Sequence, residues 1–301
     1  MNKYVLPLSI AGTVIGGTVL VKDYATGGMC PSKATISGKT IIITGANTGI
    51  GKETARELAS RGGRIIMACR DMEKCETAAR EIRGETLNHD VYAKHLNLAS
   101  LKSIREFAKQ INEEEENVNV LINNAGVMRC PHWKTEDGFE MQLGVNHLGH
   151  FLLTNLLLEK LKNSGNGRII NVSSLAHKVG QVDFNDLNWE NKKYDTKAAY
   201  CQSKLANILF TRELVKKLHG PIFWLLVKSP RLGAQPSIYL AVAEELEGVS
   251  GKYFDVNKEK DPAPQALDDE TARRLWEPTG DKSIATSKNH EEVQTVKLSW
   301  Q

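Results

Sequence analysis

The sequence has almost no excess of charge of either sign. Its 301 residues include 39 Lys and Arg against 36 Asp and Glu, which leaves a formal net charge of +3. This balance gives no electrostatic reason to expect nucleic acid or any other acidic partner.

The cysteines lack the spacing of a metal site or of a disulfide framework. Cys30, Cys69, Cys75, Cys130 and Cys201 are odd in number, scattered along the chain, and include no CxxC pair. In a chain of this length the pattern indicates free thiols and gives no support to a bound metal ion.

Long apolar runs are also missing, with one exception near the N-terminus. Residues 4–21 form a run of eighteen residues without a charged side chain. A membrane-spanning helix needs roughly 20 apolar residues, so this run is borderline. We predict a hydrophobic, membrane-associating segment at residues 1–25. A cleaved signal peptide and a buried core helix are the alternatives.

What is present is a regular alternation of two kinds of segment. Strands are predicted at residues 40–44, 64–69, 91–98, 118–122 and 168–172, and helices at 52–61, 72–83, 101–116, 138–162 and 194–219. This alternation predicts an α/β fold, a three-layer Rossmann-type doubly wound parallel sheet, because parallel strands need helical crossovers. We place one main domain at residues 36–256. Residues 257–301 are predicted to be a polar, largely disordered tail with a short helix at 268–276.

A glycine-rich loop separates the first predicted strand from the first helix. Gly45, Gly49 and Gly51 have the spacing GxxxGxG. Glycine allows a tight turn and a close approach of phosphate to the backbone, and the following helix N-terminus suits a pyrophosphate. The position between strand and helix makes this loop a candidate dinucleotide site.

The end of the second predicted strand bears on the choice of cofactor. An acidic residue there binds a ribose 2′-OH, whereas an arginine accommodates a 2′-phosphate. Arg70 comes first here, before Asp71, and Lys52 lies in the helix after the glycine loop. Both cations favour NADP(H) over NAD(H). The alternative is that Arg70 is a surface charge and Asp71 a helix cap.

Tyr200 and Lys204 are a candidate proton-transfer pair. They lie four residues apart in a predicted helix and therefore share one face. A nearby ammonium stabilises a phenolate and lowers the pKa of the tyrosine. Two polar positions support this interpretation: Asn146 interrupts a predicted helix, where asparagine is a poor helix former, and Ser174 follows a strand at the ligand-binding edge of the sheet.

Five motifs, in order, resemble those of the short-chain dehydrogenase/reductase family. They are TGANTGIG at 44–51, NNAG at 123–126, Asn146, NVSS at 171–174 and YCQSK at 200–204. The resemblance, which covers about residues 35–219, implies that Tyr200 is the general acid/base and that Lys204 lowers its pKa and holds the nicotinamide ribose. It implies that Ser174 binds the substrate oxygen and that Asn146 supports a proton relay through water. The implied cofactor-binding residues are Gly45, Asn47, Thr48, Gly49, Ile50, Gly51, Arg70, Asn97, Asn124, Ala125, Gly126, Tyr200 and Lys204.

Longer stretches are similar to the retinol dehydrogenase branch of that family, among them GANTGIGKETA and AYCQSKLANILFT. This resemblance implies NADP(H)-dependent interconversion of retinal and retinol, mainly retinal reduction, with an apolar retinoid as the substrate. A steroid or another lipid carbonyl is the alternative. It also implies association with the mitochondrial inner membrane through the N-terminal segment, with the endoplasmic reticulum membrane as the alternative. Oligomerisation is left open.

The chain departs from the family pattern in two places. Asn97 stands where the family commonly has an aspartate against the adenine, although asparagine can still donate and accept hydrogen bonds. More seriously, Gly220 runs directly into residues 221–224, without the strand and the Pro-Gly loop that close over the nicotinamide in the family. We therefore expect a sheet that lacks one late strand, an uncovered sheet edge and reduced stability. The alternative function is a catalytically impaired or inactive isoform.

Overall fold

A computed structural model describes residues 29–218, 223–224, 230–255 and 257–285 of the chain. The predicted membrane-associating segment at residues 1–25 lies outside these ranges, as does the end of the predicted tail from residue 286. Within the described ranges, no helix is long and apolar enough to cross a membrane.

The centre of the molecule is a parallel sheet of five strands, which confirms the predicted fold class. The strands are β1 (Thr40–Thr44), β2 (Arg64–Cys69), β3 (Val91–His95), β4 (Val120–Asn123) and β5 (Arg168–Asn171). Their spatial order is β3-β2-β1-β4-β5. All residues of β1, β4 and β5 are buried. Continuous apolar runs are needed in such strands because helices cover both faces of the sheet.

Helices form a layer on each face of the sheet. They are α1 (Gly49–Ser60), α2 (Met72–Thr86), α3 (Leu101–Glu114), α4 (Met141–Leu143), α5 (Gly149–Leu156), α6 (Leu158–Asn163), α7 (Thr196–Leu218), α8 (Pro230–Val242) and α9 (Asp269–Ala285). Two separate apolar cores result. Ile42 of β1 faces the core shared with α3, α5, α7 and α9, while Ile41 and Ile43 face the core shared with α1, α2 and α8. This alternation follows from the two-residue period of a strand.

The long helix predicted at residues 138–162 is divided. It begins at Met141, passes through a π-helical turn (Gly144–Leu148) between α4 and α5, and breaks again at Leu157 before α6. A π-helical turn adds a residue to the helical repeat and is often found at functional sites. Asn146 lies inside this turn.

A short strand follows the long helix α7. Strand β6 (Phe223–Trp224) pairs in parallel with β5 through Ile169 and Ile170. In the described ranges it is two residues long and pairs with two of the four residues of β5. No later described segment joins this sheet. Strand β7 (Tyr253–Asp255) instead pairs antiparallel with β8 (Lys258–Lys260) in a small separate sheet.

Part of the predicted tail packs against the core of the domain. Helix α9 is longer than the short helix expected at 268–276, and it buries Ala272 and Leu275 against α7. The Trp276 ring lies 4.9 Å from the Phe151 ring and 5.8 Å from the Phe210 ring. Apolar side chains three and four residues apart on one helix face explain this packing.

Candidate active site

A cleft with a cavity volume of about 460 Å³ lies at the carboxyl ends of β1 to β4. Ligands of open parallel sheets bind at this edge. Residues that the sequence assigns to the cofactor line the cleft together: Gly45, Asn47, Thr48, Gly49, Ile50, Gly51, Arg70, Asn97, Asn124, Ala125 and Gly126. Three motifs that are separated in sequence therefore form one continuous surface.

The glycine loop has the backbone that its sequence predicts. Gly45 has φ +63° and Gly49 has φ +57°, in the left-handed region that favours glycine. A Cβ on Gly51 would lie 2.4 Å from the carbonyl oxygen of Gly45, so no larger residue fits there. No heavy atom lies within 4 Å of the position that a Cβ would take on Gly49. The loop is tight on its inner side and open at Gly49.

The start of helix α1 suits an anion. Thr48 occupies its N-cap without a capping side-chain hydrogen bond, and the first turn carries no acidic residue. The first amide groups of a helix have no partner inside the helix, and the helix dipole adds positive potential there. A pyrophosphate fits this end of the cleft, as the sequence predicts.

Thr44 joins the glycine loop to the NNAG motif. Its hydroxyl oxygen accepts hydrogen bonds from the backbone amides of Asn124 and Ala125, each at 2.9 Å. The Asn124 side chain donates in return to the Thr44 carbonyl at 2.8 Å. These bonds hold two walls of the cleft at a fixed separation.

The two cations that favour NADP(H) have different positions. Arg70 is exposed at the rim of the cleft. Lys52 forms an ion pair with Glu81 and lines an adjoining depression that shares Asp71 and Lys74 with the cleft. Asp71 caps α2 by accepting from the backbone amide of Lys74 at 3.1 Å, and it pairs with the Lys74 ammonium at 2.8 Å. Lys74, which the sequence analysis overlooked, also lines the cleft.

Asn97 fits its surroundings better than an aspartate would. Its side-chain oxygen accepts from the Ala99 amide at 3.0 Å, and its side-chain nitrogen donates to a carboxylate oxygen of Glu136 at 3.1 Å. An aspartate here would place two carboxylates in contact, which is unfavourable. The first departure from the family pattern therefore has a local reason.

The buried Asn146 side chain fixes the π-helical turn to the strand edge. Its oxygen accepts from the Val127 amide at 2.8 Å, and its nitrogen donates to the Val127 carbonyl at 3.0 Å and to the Ser203 hydroxyl at 2.9 Å. All its hydrogen-bonding groups are thus engaged, which explains an asparagine inside a helix.

Helix α7 brings Tyr200 and Lys204 to this same point. The Lys204 ammonium lies 5.7 Å from the centre of the Tyr200 ring and donates to the Val172 carbonyl at 3.2 Å. A Cβ on Gly126 would lie 3.2 Å from the Asn146 side-chain oxygen and 3.5 Å from the Lys204 nitrogen. The Ser174 hydroxyl is close enough to Tyr200 to lower the pKa of its phenol. All four predicted catalytic residues therefore meet beside the NNAG loop.

Burial shifts the pKa values of both Tyr200 and Lys204. Burial raises the pKa of Tyr200, and the hydrogen bond from Ser174 lowers it only in part. Burial also lowers the pKa of Lys204 to about 8. Both shifts follow from desolvation of the charged forms of the two side chains.

Two buried histidines belong to the site although no motif marks them. His150 Nδ1 lies 3.1 Å from the Asn146 carbonyl, and His150 Nε2 lies 2.8 Å from the Thr44 hydroxyl. A carbonyl only accepts, so Nδ1 carries the proton and Nε2 accepts from Thr44. The side chain of His177 contacts the turn after Ser174. In the sequence, the only sign that His150 belongs to the site is its position four residues after Asn146.

Comparison with known proteins gives the same family from most of the chain. The family model for short chain dehydrogenases matches residues 39–221. Retinol dehydrogenase 13 of Homo sapiens is 67% identical, over 92% of this chain and 94% of that protein. Retinol dehydrogenase 12 of Homo sapiens is 50% identical, over 85% of this chain and 90% of that protein.

A solved structure supports the fold. An uncharacterised protein from Mycobacterium Paratuberculosis has a TM-score of 0.75 and 36% identity, over 85% of this chain and 97% of that one. The alignment with retinol dehydrogenase 13 spans 310 positions but only about 277 residues of this chain, so about 33 positions of that relative have no counterpart here. The family match ends at residue 221, next to the predicted break after Gly220.

Proposed function

The chain belongs to the short-chain dehydrogenase family of oxidoreductases, and we propose that it is an NADP(H)-dependent enzyme that interconverts retinal and retinol, mainly reducing retinal. The observation that carries this proposal is the meeting of Tyr200, Ser174, Lys204 and Asn146 beside a cleft suited to a dinucleotide.

The acidity of Tyr200 favours the direction of reduction. A reduced nicotinamide supplies a hydride to the carbonyl carbon, and the carbonyl oxygen must then take a proton. Because burial raises the pKa of Tyr200, its phenol is protonated at neutral pH and can donate that proton. The Ser174 hydroxyl accepts from the Ala176 amide at 3.2 Å, which leaves its own proton free for Tyr200 or the substrate oxygen.

The rim of the cleft supports NADP(H) as the cofactor. The carboxylate of Asp71 is engaged by its helix cap and by Lys74, so it is poorly placed to bind a ribose 2′-OH. Arg70 is exposed beside it and is the side chain that suits a 2′-phosphate. Lys74 adds a second cation at this rim.

An apolar substrate fits the other side of the catalytic cluster. Met128, Leu175 and Val179 are exposed by 60%, 53% and 75%, on segments that follow the NNAG motif and Ser174. Exposed apolar side chains next to a polar catalytic group suit a ligand with a hydrocarbon body and one carbonyl. The names of the similar retinol dehydrogenases support a retinoid; a steroid or another lipid carbonyl is the alternative.

We also propose that the enzyme is attached to the mitochondrial inner membrane through residues 1–25. The uncharged run at residues 4–21 supports an attachment, and a lipid-soluble substrate fits it. Fractionation of cells that express the full chain tests this location. Recovery with endoplasmic reticulum membranes would favour the alternative, and recovery in the soluble fraction would contradict both.

The enzymatic proposal is tested by assay of the purified full chain with all-trans-retinal and either NADPH or NADH. We expect retinol to form faster with NADPH. Tyr200→Phe keeps the ring but removes the proton, so kcat should fall by about 10² to 10⁴ while NADPH affinity stays within about twofold. Turnover that survives this substitution would contradict the role of Tyr200.

A second candidate function is a chain that binds the dinucleotide but turns over slowly or not at all. Two observations favour this second candidate. Strand β6 is two residues long, and about 33 positions of retinol dehydrogenase 13 have no counterpart in this chain. Fluorescence titration with NADPH separates the two candidates. Binding with turnover supports the enzyme, and binding without turnover supports the inactive isoform.

A further inference from the structure

The turn that follows Ser174 is held by a buried histidine. Ser174 is the N-cap of a 3₁₀ turn (Leu175–Val179), and the His177 ring turns back onto it. His177 Nδ1 lies 2.7 Å from the Ser174 carbonyl, and His177 Nε2 lies 3.2 Å from the backbone nitrogen of Ala263. The His177 side chain is fully buried. One imidazole thus joins the active-site turn to a residue that is 86 positions away.

Both hydrogen bonds of His177 are possible in only one form of the ring. The Ser174 carbonyl can only accept, so Nδ1 carries the proton, and the Ala263 amide can only donate, so Nε2 is bare. Burial lowers the pKa of His177, which keeps the ring in this neutral form at physiological pH. The Tyr253 ring packs edge-on at 5.3 Å and fixes the plane of the imidazole.

The other end of the turn is held by the same C-terminal segment. The Gln265 side-chain amide donates to the Lys178 carbonyl at 2.6 Å and to the His177 carbonyl at 3.2 Å. These carbonyls lie at the end of the 3₁₀ turn, where the His177 carbonyl also accepts from the Gly180 amide at 3.0 Å. Ala263 therefore holds the beginning of the turn through the His177 ring, and Gln265 holds the end of the turn directly.

We propose that His177 is a positioning residue, which fixes Ser174 opposite Tyr200 by tying its turn to the C-terminal segment at residues 261–267. This inference rests on the proposed function. The segment lies beyond residue 221, where the family match ends, so the support of Ser174 comes from a part of the chain outside that match. A displacement of the turn would move the Ser174 hydroxyl away from the Tyr200 phenol and the substrate oxygen.

Three substitutions of His177 test its hydrogen bonds to Ser174 and to Ala263 separately. His177→Asn retains a donor near the Nδ1 position and loses the acceptor for Ala263. His177→Gln retains an acceptor near the Nε2 position and loses the donor for Ser174. His177→Phe retains the ring against Tyr253 and loses both bonds. His147→Phe is a matched control, because it removes another buried imidazole, whose ring lies 5.9 Å from the Phe210 ring.

We expect kcat for retinal reduction to fall about 30-fold in His177→Phe and about 5- to 10-fold in each of the other two, with NADPH affinity within twofold. Hydrogen exchange at residues 175–180 and at Ala263 should quicken in His177→Phe, while exchange at the glycine loop, residues 45–51, stays unchanged. The control should leave exchange at residues 175–180 unchanged.

Two results would overturn the inference. One is a His177→Phe variant with unchanged kcat and unchanged exchange at residues 175–180. The other is a parallel loss of kcat, NADPH affinity and glycine-loop protection, which indicates general unfolding. If the unmodified chain turns over no retinoid, the proposed function fails, but the exchange measurement still decides whether His177 ties the turn to Ala263.

Discussion

The two ends of the active site are held together by different kinds of contact. At the cofactor end, the glycine loop itself is shaped by close backbone approaches within a few residues, as where Gly51 lies against the Gly45 carbonyl. At the substrate end, side chains reach groups that are distant in sequence: His177 contacts Ala263, and Gln265 contacts the Lys178 carbonyl. The first kind of contact leaves a short motif in the sequence, whereas the second leaves none.

The residues that join the two ends give the largest expected effect. His150 links Thr44 at the cofactor end to Asn146 in the catalytic cluster, and His147 lies beside it in the same helical segment. Burial lowers the pKa of His147 to about 4 and that of His150 to about 3. Below pH ~6.5, the ordinary value for histidine, the unfolded chain therefore binds more protons than the folded one.

The stability associated with these two histidines is present above pH ~6.5 and is lost as the pH falls toward 4 and 3. We expect the free energy of unfolding to drop by ~2–3 kcal/mol for each histidine by pH 4, measured by urea denaturation. His147→Phe should weaken this acid dependence by about half. It should also cost about 1–3 kcal/mol at pH 8, because the buried Asn207 side-chain oxygen loses its bond to His147 Nδ1. An unchanged acid dependence in that variant would contradict the assignment.

A substitution in the glycine loop tests the close approach at the cofactor end. In Gly51→Ala, the new Cβ would meet the Gly45 carbonyl oxygen at 2.4 Å and the Asn124 side chain at 2.6 Å. We expect a loss of about 3 kcal/mol in the free energy of unfolding, together with loss of NADPH binding. Gly84→Ala is the control, because nothing lies within 4 Å of its Cβ position in α2, and it should stabilise the chain by ~0.5–1 kcal/mol. Similar effects of the two substitutions would argue against the close approach.

Long-range side-chain contacts of the second kind also occur away from the site, at the amino end of β5, and are tested there at Arg168. Its buried guanidinium donates to the Leu240 carbonyl at 2.8 Å and to the Ala243 carbonyl at 2.9 Å, and so fixes the end of α8 to β5. Arg168→Met should cost about 2 kcal/mol of unfolding free energy and speed hydrogen exchange in α8. Arg56→Met removes an arginine that is paired with Glu53 and Glu85 nearer the surface, so it should cost less than about 1 kcal/mol. Equal losses of unfolding free energy in the two variants would mean that the buried hydrogen bonds from Arg168 to α8 add little stability.

The difference between contacts that are local in sequence and contacts that are not explains which features could be predicted from the sequence. The five main strands and the glycine loop follow from apolar runs and from spacings within a few residues, and they were found correctly. Asn146 was recognised as unusual in a helix, but its partners, the Val127 backbone and Ser203, depend on the π-helical turn. His177 and Ala263 could not be paired, because no local pattern connects residues so far apart.

The pKa of Tyr200 shows a second limit. The spacing of Tyr200 and Lys204 correctly predicts that they share one helix face, but it contains no information on how deeply the phenol is buried. Burial raises the pKa of Tyr200, and the spacing of the two residues gives no sign of this. The region after Gly220 shows a third limit, because the two residues of β6 are too few to produce a periodic signal.

The smallest expected effect concerns the choice of cofactor at the rim of the cleft. Arg70→Ser should weaken NADPH binding by about 10- to 30-fold, which is ~1.5–2 kcal/mol, and leave NADH binding within about twofold, because only NADPH carries the 2′-phosphate. Lys52→Ser is the matched control. Its ammonium is already paired with Glu81 outside the cleft, so NADPH affinity should change less than threefold.

If the binding of NADPH and of NADH weakened equally in Arg70→Ser, the arginine would act through the loop structure rather than through the phosphate. If Lys52→Ser lost as much as Arg70→Ser, the sequence-based assignment of both cations would be restored, and the ion pair with Glu81 would have to open on binding.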